Sequence, residues 1–165
     1  MADHTESSTV VGAEPGAVLD VIADFEGYPE WASEFKSGKV KKVAVISKGG
    51  DGKADQVEFT LGGTITDTYV LAYVWDVAED STGMVSWTLV RAPVSARVLK
   101  ALNGSYTLEV SGTGTAVTYR LSIDVKIPGF GMLRRKAETI IIDTALEALK
   151  KHIESASLHR EDPHR

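Results

Sequence analysis

Val117-Thr118-Tyr119-Arg120-Leu121-Ser122-Ile123-Asp124-Val125-Lys126-Ile127-Pro128-Gly129-Phe130 is the stretch on which the fold turns. Val117, Tyr119, Leu121, Ile123 and Val125 alternate with Thr118, Arg120, Ser122 and Asp124. That period of two lays apolar residues on one face of a strand and polar residues on the other. Pro128-Gly129 then supplies a turn and a helix start, and the period changes. A helix is predicted from Pro128 to about Leu158. Phe130, Leu133, Ala137, Ile140, Ile141, Thr144 and Ala148 fall on one side of it, and Ile142, Leu146, Leu149 and Ile153 widen the apolar surface toward another. Lys136, Thr139, Asp143, Glu147, Lys150 and Glu154 share the polar side. An apolar stripe this wide predicts a helix that touches two partners, a sheet and the small helices near the N-terminus.

Upstream of this strand the same alternation recurs. Val57, Phe59 and Leu61 oppose Gln56, Glu58 and Thr60, and Tyr106, Leu108 and Val110 oppose Thr107 and Glu109. Turn signals separate the runs at Gly49-Gly50-Asp51-Gly52, Gly62-Gly63, Glu79-Asp80-Ser81-Thr82-Gly83 and Ser111-Gly112-Thr113-Gly114. Consecutive strands with close turns imply an antiparallel meander with one buried and one wet face. Ala92 to Ala101, with Pro93, breaks the rhythm and reads as a long connection. Near the N-terminus, Ser8 to Val11 is extended and Pro15 opens a helix carrying Val18, Leu19, Val21, Ile22 and Phe25. Gly27 stops it, and Tyr28-Pro29-Glu30-Trp31 starts a shorter helix with Trp31 and Phe35. Residues 1–7 read as a loose leader, 8–158 as one domain and 159–165 as a frayed tail.

The 165 residues suit one domain, and 43% hydrophobic with 25% charged residues supports a packed core. A net charge of -5 argues against nucleic-acid partners, because an acidic surface repels phosphates. The basic clusters Lys36, Lys39, Lys41, Lys42 and Arg134, Arg135, Lys136 read as solvated faces. Without cysteine there is no disulfide, thiolate metal site or cysteine nucleophile. No signal-peptide pattern and no membrane-spanning run is visible, so a cytoplasmic protein without stable membrane insertion is expected. No metal-ligand spacing, phosphate loop or nucleophile–base set occurs, and no cofactor is expected. His4, His159 and His164 lie in the terminal segments, and His152, near the end of the last helix, suits capping or packing.

Asp20-Val21-Ile22-Ala23-Asp24-Phe25-Glu26-Gly27-Tyr28-Pro29-Glu30-Trp31, Asn103-Gly104-Ser105-Tyr106, Gly114-Thr115-Ala116-Val117-Thr118-Tyr119 and Ile127-Pro128-Gly129-Phe130 carry a family likeness. Over residues 8–155 the chain resembles the START-like or Bet v 1-like (SRPBCC) superfamily, and within it the bacterial polyketide cyclase/dehydrase and lipid-transport group. The resemblance implies an α+β helix-grip fold. A curved seven-stranded antiparallel sheet wraps a long C-terminal helix, with two short helices between the first two strands. It also implies a cavity between sheet and helix for an apolar small molecule such as a lipid, sterol, quinone or polyketide.

Within that frame, Trp31, Phe35, Phe59, Tyr69, Tyr73, Trp87, Arg91, Tyr106, Leu133, Ala137, Ile140 and Ile141 are the candidate ligand-binding residues. Ile65, Asp67, Tyr69, Leu71, Tyr73 and Trp75 share the inward face of one strand if its odd positions turn in. Each aromatic is also readable as plain core packing. An inward Arg91 would need a carboxylate such as Asp67 or an anionic ligand, whereas an outward one reaches solvent. Trp31 and Phe35 either gate the cavity or fasten the short helices. Two functions follow: binding or transport of the apolar molecule, or an aromatic polyketide cyclase/dehydratase acting by templating, with Arg91, Tyr69 and Tyr73 as its polar groups. Monomer and homodimer remain open.

Overall fold

Short turns between alternating runs leave each strand no partner nearer than the next one, and the meander forms accordingly. The computed structural model describes residues 4–32, 39–62, 67–91, 99–126 and 129–161. Its elements are β1 (Thr5–Val11), α1 (Pro15–Ala23), a 3-10 turn at Phe25–Gly27, α2 (Tyr28–Ala32), β2 (Lys39–Lys48), β3 (Ala54–Gly62), β4 (Asp67–Val77), β5 (Gly83–Arg91), β6 (Leu99–Ser111), β7 (Gly114–Val125) and α3 (Phe130–Glu161). The sheet order is β1-β7-β6-β5-β4-β3-β2, all antiparallel. The chain thus begins beside its last strand and crosses to the opposite edge through α1 and α2. Gly112, at φ +60°, makes the tight β6–β7 hairpin that a side chain would strain.

The helix-grip architecture expected from the sequence is the one observed. α3 packs on β1 and β7 and touches α1 and α2. Its inner face is Ile142, Ala145, Leu146, Leu149 and Ile153, all buried. Leu133 and Ile140, placed on the ligand side by the sequence, are instead 61% and 53% exposed. Periodicity finds apolar sides on a helix but not its rotation. Here the contact with β1 and β7 turns the second apolar side inward.

Two polar fastenings fix that rotation. Glu138, 1% exposed, accepts hydrogen bonds from Thr5 Oγ1 at 2.6 Å and from the Ile123 amide at 2.7 Å. β1 pairs with β7 only as far as Thr5 opposite Leu121, so the carboxylate takes up the amide just past the end of the ladder. Further along, Glu154 accepts from the Gly12 amide at 2.9 Å and from Lys150 Nζ at 2.8 Å, while Lys150 also donates to the Val10 carbonyl. The Lys150 and Gly12 donors hold the Glu154 carboxyl below the usual glutamate range. These contacts give Thr5–Ser7 a place in the sheet, so the first strand starts earlier than the leader boundary predicted at residue 7. At the other end α3 reaches Glu161, past the expected boundary at 158. α1 ends at Ala23, and Phe25 belongs to the 3-10 turn that follows.

Candidate functional site

Inward-facing rows of the sheet decide which side chains meet. Tyr73 pairs with Trp87, Trp87 with Gly104, and Gly104 with Leu121. The adjacent row is Trp75, Val85, Tyr106 and Tyr119, and a third joins Phe59 to Tyr69. Phe25, Tyr28 and Trp31 come down onto these rows from the short helical segments. All five tyrosines and all three tryptophans of the chain, with Phe25 and Phe59, form one continuous aromatic network. Phe59 stacks on Tyr69 at 5.1 Å, Phe25 meets Tyr73 edge-on at 4.9 Å, and Tyr106 meets Tyr119 edge-on at 4.9 Å. Such geometries add about 0.5–1.5 kcal/mol per pair beyond burial.

Gly104 makes room for this network. A Cβ there would lie 2.5 Å from Cε2, Cζ2 and Nε1 of Trp87, so the indole rests flat against bare backbone. Gly104→Val is expected to displace Trp87 and to cost about 1–3 kcal/mol. A urea melt should show a lower midpoint at unchanged slope, with an altered near-ultraviolet tryptophan signal. An unshifted midpoint would mean that the indole has room to move.

The phenols are the polar groups of the concave face. Tyr28 donates to the Ile22 carbonyl. Among the described residues, Tyr69, Tyr73, Tyr106 and Tyr119 show no hydrogen-bond partner for their hydroxyls. Thr107 Oγ1 is the one fully buried side-chain polar atom without a partner among the described residues, so the four phenol oxygens are not sealed in and reach space where a ligand oxygen or water can meet them. Burial raises the pKa of all five above the ordinary tyrosine value of 10.0. Neighbouring phenols raise Tyr28, Tyr73, Tyr106 and Tyr119 further, because the rings converge on one another. These groups stay neutral near pH 7 and can donate hydrogen bonds there. Glu138 is the single buried charged residue among those described, and its carboxylate is already engaged by Thr5 and Ile123. No group of three histidine, aspartate or glutamate residues able to hold a metal occurs among the described residues.

The candidate residues now have places. Phe59, Tyr73, Trp87 and Tyr106 are buried on the inward face, Tyr69 is partly buried beside them, and Ile141 packs against the same core. Ala137 is half-buried on α3. Trp31 is buried, 5.1 Å from the Tyr28 ring and stacked on His152 at 6.0 Å, so it fastens α2 to α3. A hollow of about 160 Å³ beside that stack is lined by Glu30, Trp31, Ala148, Lys151, His152 and Ser155. Phe35 and Ile65 lie outside the described residues, as does the Asp67 side chain.

Arg91 requires a correction as an inward ligand group. Its side chain is 57% exposed and Nη2 binds Glu58 Oε2 at 2.6 Å. β4 and β5 slip register between Val70 and Leu71, so Leu71 faces Leu89 while Val70 faces Arg91. This irregularity breaks the alternation that placed Arg91 with Val85, Trp87 and Leu89. Arg91 joins Glu58 and Val70 on the outer row. That outer face carries a separate trough of about 330 Å³ whose lining includes Val74, Met84, Ser86, Asn103 and Arg120.

Tyr28, Tyr119 and Phe25 belong to the network although the sequence-based site omitted them, and Trp75, which the alternation placed inward with Tyr73, joins it. Tyr119 was findable, since the alternation that turns Tyr106 inward applies to it equally. Tyr28 and Phe25 carry no such signal, because their orientation depends on where the short helices dock.

The family model for polyketide cyclase / dehydrase and lipid transport matches residues 1–154. A START superfamily protein from Mycobacterium smegmatis superposes with a TM-score of 0.76 at 17% identity, covering 93% of this chain and 98% of that one. The Zhui aromatase/cyclase from a Streptomyces species gives 0.70 at 15% identity, with 93% and 94% covered. Norcoclaurine synthase from Thalictrum flavum gives 0.65 at 12% identity, with 95% and 97% covered. At these identities the structural likenesses show the fold. No curated protein matches the chain.

Proposed function

Because the chain belongs to the polyketide cyclase / dehydrase and lipid transport family, we propose that its concave face binds one uncharged apolar small molecule bearing hydrogen-bonding oxygens, and carries it without altering it. The observation that carries this reading is the set of four phenol hydroxyls, on Tyr69, Tyr73, Tyr106 and Tyr119, which reach accessible space within an aromatic wall and have no protein partner among the described residues. Stacking surfaces favour flat ring systems, and phenols favour carbonyl or ether oxygens. Quinones and polyketides meet both demands better than a fatty acid, whose carboxylate would find no cation on this wall among the described residues.

The alternative reading, a polyketide cyclase or dehydratase acting by templating, keeps Tyr69 and Tyr73 as proton donors. It loses Arg91, which the outward turn removes from any enolate. Carriage is therefore the reading preferred here.

Native mass spectrometry of protein purified gently from its own source is expected to show a retained molecule near one-to-one stoichiometry. Delipidated protein should likewise take up a member of a quinone, polyketide and lipid panel. Tyr73→Phe and Tyr106→Phe should each weaken that uptake by about tenfold, the worth of one hydrogen bond, while stability changes by less than about 1 kcal/mol. Failure of every panel member to bind would count against carriage. Undiminished binding by both phenylalanine variants would remove the phenols from recognition.

A further inference from the structure

The first turns of α3 gather three large exposed apolar side chains on one stretch of helix. Met132 is 89% exposed, Leu133 61% and Ile140 53%. On a helix, residues seven and eight apart share a side, so Ile140 lies in line with both Leu133 and Met132. Lys136 is exposed in the midst of the three, and Arg135 is exposed one step around the helix. Lysine suits that place, since its stem lies along apolar surface while its ammonium reaches out.

Charge singles out the same turns. The chain as a whole is acidic, with 23 aspartates and glutamates against 18 lysines and arginines. Between Lys126 and Ile142 the balance reverses. Lys126, Arg134, Arg135 and Lys136 stand against one acid, Glu138, which is buried and bound to β1 and β7. An outward face of apolar side chains interleaved with cations complements the headgroup layer of an anionic bilayer, where apolar groups sink among acyl chains and cations meet phosphates. No helix among the described residues is long and apolar enough to cross a membrane, so this contact lies along the surface.

We infer that the N-terminal turns of α3, through Met132, Leu133, Lys136 and Ile140 with Arg135 beside them, dock the protein reversibly on anionic lipid surfaces. The basic cluster read from sequence as a solvated face is then a contact face. This stands apart from the proposed carriage, since vesicle binding requires no occupied cleft.

The test is co-sedimentation of the full chain with phosphatidylcholine vesicles and with vesicles also carrying phosphatidylglycerol. Binding is expected for the anionic vesicles alone, and it should weaken as salt is added. Arg135→Glu with Lys136→Glu should lower the partition by at least about tenfold. Met132→Ser with Leu133→Ser should lower it comparably, and circular dichroism should show the fold retained in both variants. Absence of sedimentation with anionic vesicles overturns the inference. So does equal binding to neutral vesicles, or full binding by both double variants.

Discussion

Raising the pH above 10 is expected to unfold the protein in one cooperative step, with the tyrosines ionising together as the sheet is lost. All five tyrosines of the chain line the inward face, and burial raises each pKa above 10.0. A tyrosine with a raised folded-state pKa prefers the folded chain only while protonated. Its contribution is full below the unfolded value and is lost as the pH climbs past it. Each such group forfeits about 1.4 kcal/mol per pH unit. Five together lose roughly 7 kcal/mol by about pH 11, comparable to the whole stability of a small domain, about 5–15 kcal/mol. Tyr69, the most exposed, contributes least. The check is ultraviolet absorbance of tyrosinate followed together with far-ultraviolet circular dichroism. Coincident transitions are expected. Gradual tyrosinate formation with an intact sheet signal would show that water and hydroxide already reach the phenols, and would weaken the account of the wall as desolvated.

Glu138→Ala is expected to be the most damaging single substitution outside the aromatic network, at about 3 kcal/mol. It strips a buried amide, Ile123, and a hydroxyl, Thr5, of their acceptor at once. An orphaned buried donor costs about 1–3 kcal/mol, and the emptied volume adds to it. Glu138→Gln keeps one carbonyl acceptor and should recover most of the loss. Urea unfolding of the two variants beside the parent measures both effects. Equal losses would mean that the negative charge matters rather than the hydrogen bonds. No loss in either would mean that Thr5 and Ile123 find water. Because Glu138 fixes the rotation of α3, the alanine variant should also loosen β1, with faster amide exchange from Thr5 to Val11.

The strands, their antiparallel meander and the terminal helix were legible because their signals are local, while the helix-grip arrangement was what the family resemblance implied. Alternation along β3, β6 and β7 states which face is buried, and glycine-rich turns state where each strand stops. Much of the aromatic wall followed from the same alternation, including Phe59, Tyr69, Tyr73, Trp87 and Tyr106. Three features escaped it. Arg91, whose orientation the sequence left open, turns outward because Val90 is an extra residue on β5 opposite the Val70–Leu71 step and takes Arg91 off the alternation of Val85, Trp87 and Leu89. Leu133 and Ile140 were misplaced because α3 carries two apolar sides, and its own residues do not say which one the sheet accepts. Glu138 passed unnoticed because a single carboxylate on a helix is ordinary until the strand beside it ends and leaves an amide unpaired.

By itself, then, the sequence determined the elements, their order and the face each strand buries, since these depend on neighbours within a few residues. Tertiary structure alone decided the rotation of α3, the outward turn of Arg91 and the convergence of five phenols. Each of those depends on register and docking between distant segments. Thr5 and Glu138 are 133 positions apart, and periodicity within either segment contains nothing about the distance between them.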